Sequence, residues 1–295
     1  SGAPVPRKIV EQYGDQWSTN PETCLTNGPY KLEEWTKGQR IVLTLNPNYK
    51  GRYKGSIEKM IFTFGMTDAM FTAYQAGEID GIHADAEFAN LISASDLKVI
   101  ERDPKLSAEL LRFPYLGVQY IFFPDEAPFD DIRVRQAFSH AIDRDKLVQV
   151  ALGGLGVPAF GMLPPGMPGY PGDALNDIQR YDPELARQLL ADAGYPDGKG
   201  FPVQEFWVRE PDQSLKTACE MIQAMLKENL GVDIQIMPQE KKVFVDVLGK
   251  KEMPLAIVHW MYDYVDPSDF LNVVWHSDKG RHTWKNAEFD ALVDE

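Results

Sequence analysis

The sequence predicts an α/β fold, because patterns typical of strands and helices alternate through its last third. Short apolar runs at 203–208, 232–237 and 255–260 have the length and composition of buried strands. Between them, residues 214–230 and 241–248 carry apolar side chains at helical spacing. Alternation of this kind is typical of a sheet whose strands lie at least partly parallel.

The N-terminal part of the chain predicts a short helix and a β-hairpin. Residues 6–13 have a helical pattern that ends at Gly14. Strand patterns at 30–35 and 41–45 flank a turn at Lys37-Gly38, which predicts an antiparallel pair. Beyond the hairpin, strands are predicted at 57–64, 79–83, 106–113 and 117–123, and helices at 67–76 and 88–92.

The middle of the chain predicts helices separated by a proline-rich loop. An amphipathic helix is predicted at 131–142, and Asp143 is a suitable N-cap for the helix that follows it. Residues 157–172 contain five prolines and several glycines, so they predict a long, stiff surface loop. Asp182 and Pro183 have the residue types that begin a helix.

Composition and charge indicate a folded protein with an acidic surface. The chain has 295 residues, 44% of them hydrophobic, which is enough for two domains with a sizeable core. The formal net charge of −14 disfavours nucleic acid and anionic membranes as partners, because both would be repelled. The two cysteines, Cys24 and Cys219, lack the spacing of a zinc site, and whether they pair stays open.

Motifs for catalysis and metal binding are weak. The chain contains no HExxH, GxSxG or P-loop motif. Residues 154–159 match a loose GxGxxA pattern, but they lead from a helix into a loop, which does not fit dinucleotide binding. We expect no metal, no cofactor and no enzyme activity, although a peptide hydrolase assembled from distant residues stays open. No HxH or HxxxH pair occurs among His83, His140, His259, His276 and His282.

Residues 259–267 are the strongest candidate for a functional site. They place aromatic side chains and Asp263 at the end of a predicted strand. This position is an edge of the sheet that a ligand can reach. Asp263 is either presented to a ligand or hydrogen-bonded to the backbone of its own turn. Trp260, Met261 and Tyr262 either line a ligand site or pack in the core.

Several segments together resemble the bacterial extracellular solute-binding proteins of family 5, which feed peptide transporters. The segments keep the order of that family along nearly the whole chain, and those at 11–17 and 26–35 look most like its oligopeptide-binding branch. The segments that carry the resemblance are 4–6, 11–17, 26–35, 127–137, 141–144 and 259–267.

The resemblance implies a periplasmic-binding-protein-like fold of type II, cluster C, in which two lobes close around a ligand. The chain is expected to be an internal fragment, so the absence of a signal segment says nothing about its compartment. Residues 1–34 would end a small accessory domain, 35–115 would form part of lobe I, and 116–295 most of lobe II. Because the opposing lobe would be incomplete, the isolated chain is expected to bind ligand weakly or not at all.

The resemblance also implies a function without catalysis. The expected protein captures oligopeptides or dipeptides between its lobes and delivers them to the membrane permease of an ABC importer. It is expected to be a monomer in the periplasm or another extracytoplasmic space, with or without a lipid anchor. A nickel chelate, an opine or a sugar stays open as the alternative solute, and His259 or His276 would then be the nickel ligand.

The resemblance implies specific ligand-binding residues. Asp263 matches the acid that holds the ammonium group of the bound peptide. The other ligand-binding residues implied are Trp260, Met261, Tyr262, Tyr115, Gly117, Tyr120 and His83. Groups that meet peptide carboxylates are expected near Lys241, Leu248, Gly249 and Ile257. Only Lys241 among these is basic or aromatic, so carboxylate recognition and peptide length stay open.

Overall fold

The chain divides into two compact units, residues 1–83 and 84–295. The structure, a computed structural model, describes residues 5–52, 55–64, 69–82, 92–113, 115–210 and 213–295. The domain boundaries expected after residues 34 and 115 stay predictions. Residue 34 lies inside a strand of the first unit.

A three-stranded antiparallel sheet is the centre of the first unit. Its strands follow the order β1-β2-β3. The predicted hairpin is confirmed, and Gly38 in its turn has a φ of 72°, which glycine adopts without strain. The elements of this unit are β1 (Tyr30–Thr36), β2 (Arg40–Leu45), β3 (Lys59–Thr63), α1 (Arg7–Tyr13) and α2 (Met70–Gln75).

The strand predicted at 79–83 is wrong over residues 79–82, which are irregular. Gly77 has a φ of 74° and ends α2. Asp80 and Gly81 then interrupt the apolar pattern, and both are poor strand formers. His83 lies outside the described residues, as do most residues of the helix predicted after it.

The second unit contains a four-stranded mixed sheet with the order β4-β7-β5-β6. Its strands are β4 (Gly117–Phe122), β5 (Gln204–Arg209), β6 (Ile234–Gln239) and β7 (Ala256–Met261). β5 pairs in parallel with both β6 and β7, which confirms the prediction of a partly parallel sheet. β4 runs antiparallel to β7, so Gly117 pairs with Met261.

Helices of the second unit pack against this sheet and against each other. The largest hydrophobic cluster joins three of them, α5, α8 and α9, to β5 and β6. Asp131, Asp143 and Asp182 accept hydrogen bonds from backbone N–H groups at the starts of α5, α6 and α8, which confirms the caps predicted at Asp143 and Asp182. The helices are α3 (Ala94–Arg102), α4 (Pro104–Glu109), α5 (Ile132–His140), α6 (Arg144–Ala151), α7 (Asn176–Gln179), α8 (Pro183–Asp192), α9 (Gln213–Leu230), α10 (Lys241–Gly249), α11 (Ser268–Phe270) and α12 (Ala287–Asp294).

The strand predicted at 106–113 is wrong, because its first part belongs to α4. Asp103 caps this helix by accepting hydrogen bonds from the backbone N–H groups of Lys105 and Leu106, at 2.8 and 3.1 Å. Pro104 occupies the first helical position, where its missing N–H group has no cost. The local Asp-Pro start signal therefore decides the structure over the apolar composition that follows.

A small hydrophobic cluster fixes the end of β7 and the segment that follows it. Val118 on β4, Met167 in the proline-rich loop, Tyr262, Phe270 and Val274 are all buried in this cluster. The end of β7 therefore packs between β4, the loop and α11. This packing determines where the predicted site residues lie.

Candidate functional site

A cavity of about 260 Å³ lies at the carboxyl end of β7, within the second unit. β5 and β7 are parallel, so their carboxyl ends meet at one edge of the sheet, and the antiparallel β4 begins at the same edge. The predicted site residues that line the cavity are Tyr115, Trp260, Met261 and Asp263. Arg209, Phe244, Leu248, His259 and Arg281 also line it.

Asp263 is exposed at this cavity. Its backbone N–H group donates a hydrogen bond of 2.8 Å to Oδ2 of Asp269. Its own carboxylate makes no hydrogen bond or ion pair within the part of the chain that the structure describes. Asp266 and Asp269 accept the hydrogen bonds that hold the local turn, which leaves the Asp263 carboxylate available to a ligand.

The acid that holds this turn in place is Asp269, whose side chain is 2% exposed. Asp266 contributes a second bond, because its Oδ1 accepts from the N–H group of Ser268 at 2.8 Å. The hydrogen bonds from Ser268 hold the pKa of Asp266 below its usual range. Both acids therefore have structural partners of the kind expected for turn aspartates.

Aromatic rings form part of the cavity wall. Trp260 stacks against Phe270, with ring centroids 6.0 Å apart, and the guanidinium carbon of Arg281 lies 4.8 Å from the Trp260 ring centroid. Tyr115 packs on His259 with a centroid separation of 5.8 Å. The wall can therefore offer apolar area together with positive charge.

Gly117 allows the Tyr115 ring to lie against β4. A Cβ atom at Gly117 would collide with the Tyr115 ring and would come within 3.0 Å of Nε2 of His259. The absence of a side chain at this position is therefore needed for the Tyr115–His259 contact. Gly117 itself is not among the residues that line the cavity.

Comparison with known proteins identifies the family. Residues 2–282 match the model of the family described as "bacterial extracellular solute-binding proteins, family 5 Middle". The chain belongs to this family. Its structure is also similar to the crystal structure of a periplasmic oligopeptide-binding protein, OppAIV of Borrelia burgdorferi. The TM-score is 0.79 and the sequence identity 25%, over 99% of this chain and 56% of the other. This likeness confirms the predicted type II periplasmic-binding-protein-like fold, present as a partial chain.

The curated relatives of this family 5 protein are binding proteins with different ligands in their names. It is 32% identical to the periplasmic oligopeptide-binding protein OppA of Salmonella typhimurium, over 99% of this chain and 53% of OppA. It is 28% identical to the probable deoxycholate-binding periplasmic protein YgiS of Escherichia coli, over 99% of this chain and 53% of YgiS. The chain thus spans about half the length of the curated relatives it matches.

Two tyrosines of the predicted site lie outside the lining of the cavity in this family 5 protein. Tyr262 is 7% exposed, and its hydroxyl donates to the carbonyl of Met162 at 3.0 Å. Burial raises the pKa of Tyr262, and the negative charge of Asp269 adds to the effect. The Tyr120 ring packs against Phe270 and two other rings, and burial raises its pKa too. Their surroundings fit the alternative of core packing.

The positively charged side chains at the cavity differ from those expected. Leu248 and Ile257 line the cavity but carry no charge, and Lys241 is not among its lining residues. Arg209 and Arg281 do line it. No sequence motif pointed to them, because pairing of β5 with β7 brings Arg209 to the site from far earlier in the chain.

Among the described residues, no group of three or more His, Cys, Asp or Glu side chains is placed to hold a metal ion. No helix in the same part of the chain has both the length and the apolar composition needed to cross a bilayer. No disulfide joins Cys24 and Cys219 there, and Cys219 is buried in α9 as its pattern predicts.

Asp269→Ala is expected to lower the free energy of unfolding by about 1–2 kcal/mol, because the Asp263 N–H group loses its acceptor. Asp269→Asn keeps an acceptor oxygen at this position, so it should restore at least half of the stability that Asp269→Ala loses. Urea unfolding of the three proteins measures the difference. Equal midpoints and slopes for all three would contradict the role of this hydrogen bond.

Proposed function

We propose that this chain forms part of a solute-binding protein that captures short peptides and delivers them to the permease of an ABC importer. The observation that carries the proposal is the Asp263 carboxylate, exposed at an aromatic cavity at the edge of a sheet and without a protein partner among the described residues. Membership of family 5 supports the same function.

The ammonium group of a peptide suits the chemistry of Asp263. A carboxylate that accepts from an ammonium group makes a charge-assisted hydrogen bond, which is stronger than a neutral one. The backbone of Asp263 is held by Asp269, so the carboxylate is positioned before a ligand arrives. Preorganisation of this kind lowers the entropic cost of binding.

The end of β7 offers room for an extended ligand beside it. The parallel register places Trp207 of β5 next to Ala256, so Arg209 at the end of β5 lies beside Val258. β7 continues past that point to Met261, while β4 pairs with its other side. A peptide can therefore extend the sheet where β5 stops, with main-chain hydrogen bonds to β7.

Membership of family 5 also suggests how the full protein is arranged and where it acts. The full protein would hold its ligand between two lobes, with residues 116–295 giving most of lobe II and 35–115 part of lobe I. It would act as a monomer outside the cytoplasm and would not change its ligand chemically. The curated relatives are named as binding proteins, and several as periplasmic, which supports this assignment.

Incubation of the full-length natural protein with a mixed pool of short peptides tests the function. Peptides that remain intact and copurify with the protein, identified by mass spectrometry, are the expected result. Loss of intact peptide would indicate a hydrolase. Copurification of a nickel chelate, an opine, a sugar or a bile acid in place of peptide would contradict the proposed ligand class.

A further inference from the structure

The proline-rich loop, residues 157–172, is bonded to the residue that directly precedes Asp263. The hydroxyl of Tyr262 donates a hydrogen bond of 3.0 Å to the backbone carbonyl of Met162 in this loop. The backbone N–H group of Tyr262 donates to the carbonyl of Leu116 at 2.9 Å. Both the ring and the backbone of Tyr262 are therefore fixed, and the loop provides the partner for the ring.

Apolar side chains of the loop pack around the same tyrosine. Met167 is 3% exposed and lies in the small hydrophobic cluster that also contains Tyr262 and Phe270. Met162 and Leu163 pack against this cluster. The loop therefore supports Tyr262 through buried apolar contacts as well as through one hydrogen bond, so a shift of the loop would move the residue next to Asp263.

The loop is anchored close to this contact by Gln179, the last residue of α7. The Nε2 atom of Gln179 donates a hydrogen bond of 3.2 Å to the carbonyl of Phe160. The guanidinium carbon of Arg144 lies 5.6 Å from the centroid of the Phe160 ring. Residues 160–162 are thus bonded to α7 through Phe160 and to the end of β7 through Met162.

The orientation of Gln179 is set in turn by Arg144, the first residue of α6. Arg144 donates to the backbone carbonyl and to Oε1 of Gln179, at 2.8 and 2.9 Å, and to the carbonyl and hydroxyl of Ser139. Burial lowers the pKa of Arg144 to about 10, so its hydrogen bonds at neutral pH are charge-assisted. Since Oε1 of the amide accepts from Arg144, Nε2 is the atom that faces the Phe160 carbonyl.

We propose that Arg144 and Tyr262 are positioning residues for ligand binding: Arg144 fixes the proline-rich loop through Gln179, and the loop fixes Tyr262 and the direction of the neighbouring Asp263 carboxylate. This inference rests on the proposed function. A hydrogen bond to an ammonium group depends on distance and angle, so a carboxylate on a loosely held backbone binds it less well. Ordering that backbone at the moment of binding has an entropic cost.

Tyr262→Phe in the full-length natural protein tests this positioning role. The variant keeps the ring in its cluster and removes the hydrogen bond to Met162. Titration calorimetry with tri-alanine and with N-acetyl-tri-alanine measures the two affinities. We expect tri-alanine to bind about 3- to 10-fold more weakly to the variant, which is the effect of losing one hydrogen bond. The affinity for the acetylated peptide should change less than about twofold.

Gln179→Glu tests the anchor of the loop separately. It keeps an acceptor for Arg144 and removes the donor to the Phe160 carbonyl. We expect the same selective loss of tri-alanine, about 2- to 5-fold. Because both substitutions act through one loop, the double variant should lose less than the product of the two single effects. This variant also keeps the test available if Tyr262→Phe does not fold.

Tyr181→Phe is the matched control. It also removes a tyrosine hydroxyl of the second unit, one that accepts a hydrogen bond of 3.3 Å from Nδ2 of Asn229. Tyr181 does not line the cavity, and no hydrogen bond of its hydroxyl to the proline-rich loop is found among the described residues. We expect its affinities for both peptides to equal those of the native protein.

The outcomes separate this inference from the proposed function. A selective loss of tri-alanine affinity in Tyr262→Phe and Gln179→Glu supports the positioning role. Equal changes for the free and acetylated peptides, or no change in either variant, overturn it while peptide binding stands. A native protein that binds neither peptide overturns both proposals.

Discussion

Asp263→Asn is expected to weaken the binding of peptides with a free amino terminus by about 2–5 kcal/mol, and that of N-acetylated peptides far less. The substitution keeps the size of the side chain and removes its charge. Since the Asp263 carboxylate has no ion pair within the described residues, the ligand ammonium would be its main partner. Titration calorimetry of the full-length natural protein with one tripeptide in its free and acetylated forms measures the difference.

Asp177→Asn is the matched control for this substitution. The side chain of Asp177 is 94% exposed, it lies in the same unit, and its ion pair with Arg180 is on the surface. We expect no measurable change in affinity for either peptide, because surface ion pairs contribute little. Equal losses for free and acetylated peptides in Asp263→Asn would remove the ammonium contact from the account.

Acidification is expected to destabilise the second unit through His282. This side chain is 4% exposed and is stacked between Trp275 and Phe122, at centroid distances of 3.8 and 4.6 Å. Burial, with a smaller effect of the positive Lys251, lowers the pKa of His282 to about 3. In the unfolded chain its pKa is about 6.5, so the unfolded state binds a proton that the folded state does not.

The sign and size of this effect follow from proton linkage. The contribution of neutral His282 to stability is complete above pH 6.5 and is lost as the pH falls towards 3. Between pH 7.5 and pH 5 the loss is about 2 kcal/mol. His282→Phe keeps an aromatic ring in the stack and cannot be protonated. Between pH 7.5 and pH 5, the free energy of unfolding of this variant should therefore fall by about 2 kcal/mol less than that of the native protein.

Urea unfolding of the native protein and the His282→Phe variant at both pH values measures this difference. Other groups of the protein also titrate over this range, and the comparison of the two proteins cancels their effects. The same pH dependence in both proteins would show that the His282 ring is protonated in the fold.

Local signals in the sequence were enough to predict much of the second unit. Asp131, Asp143 and Asp182 are N-caps whose helices begin where the sequence indicates. The alternation of strands and helices after residue 200 predicted the parallel pairing. Where prediction failed, at 106–113, Asp103 and Pro104 began a helix inside a segment with an apolar composition suited to a strand.

The candidate site could be predicted only in part, because it depends on contacts between distant segments. Asp263 was recognisable from its place after a strand and between aromatic residues. Periodicity could not show that Tyr262 is buried against Phe270 while the Trp260 ring lines a cavity. Arg209 carries no local signal, and it reaches the site only through the register of β5 on β7.

A crystal structure of the full-length natural protein with a bound free tripeptide tests the central claim most directly. The ammonium nitrogen of the peptide should lie about 2.7–2.9 Å from a carboxylate oxygen of Asp263, as in charge-assisted hydrogen bonds. An ammonium group held by other residues, with the Asp263 side chain pointing into solvent, would contradict the account.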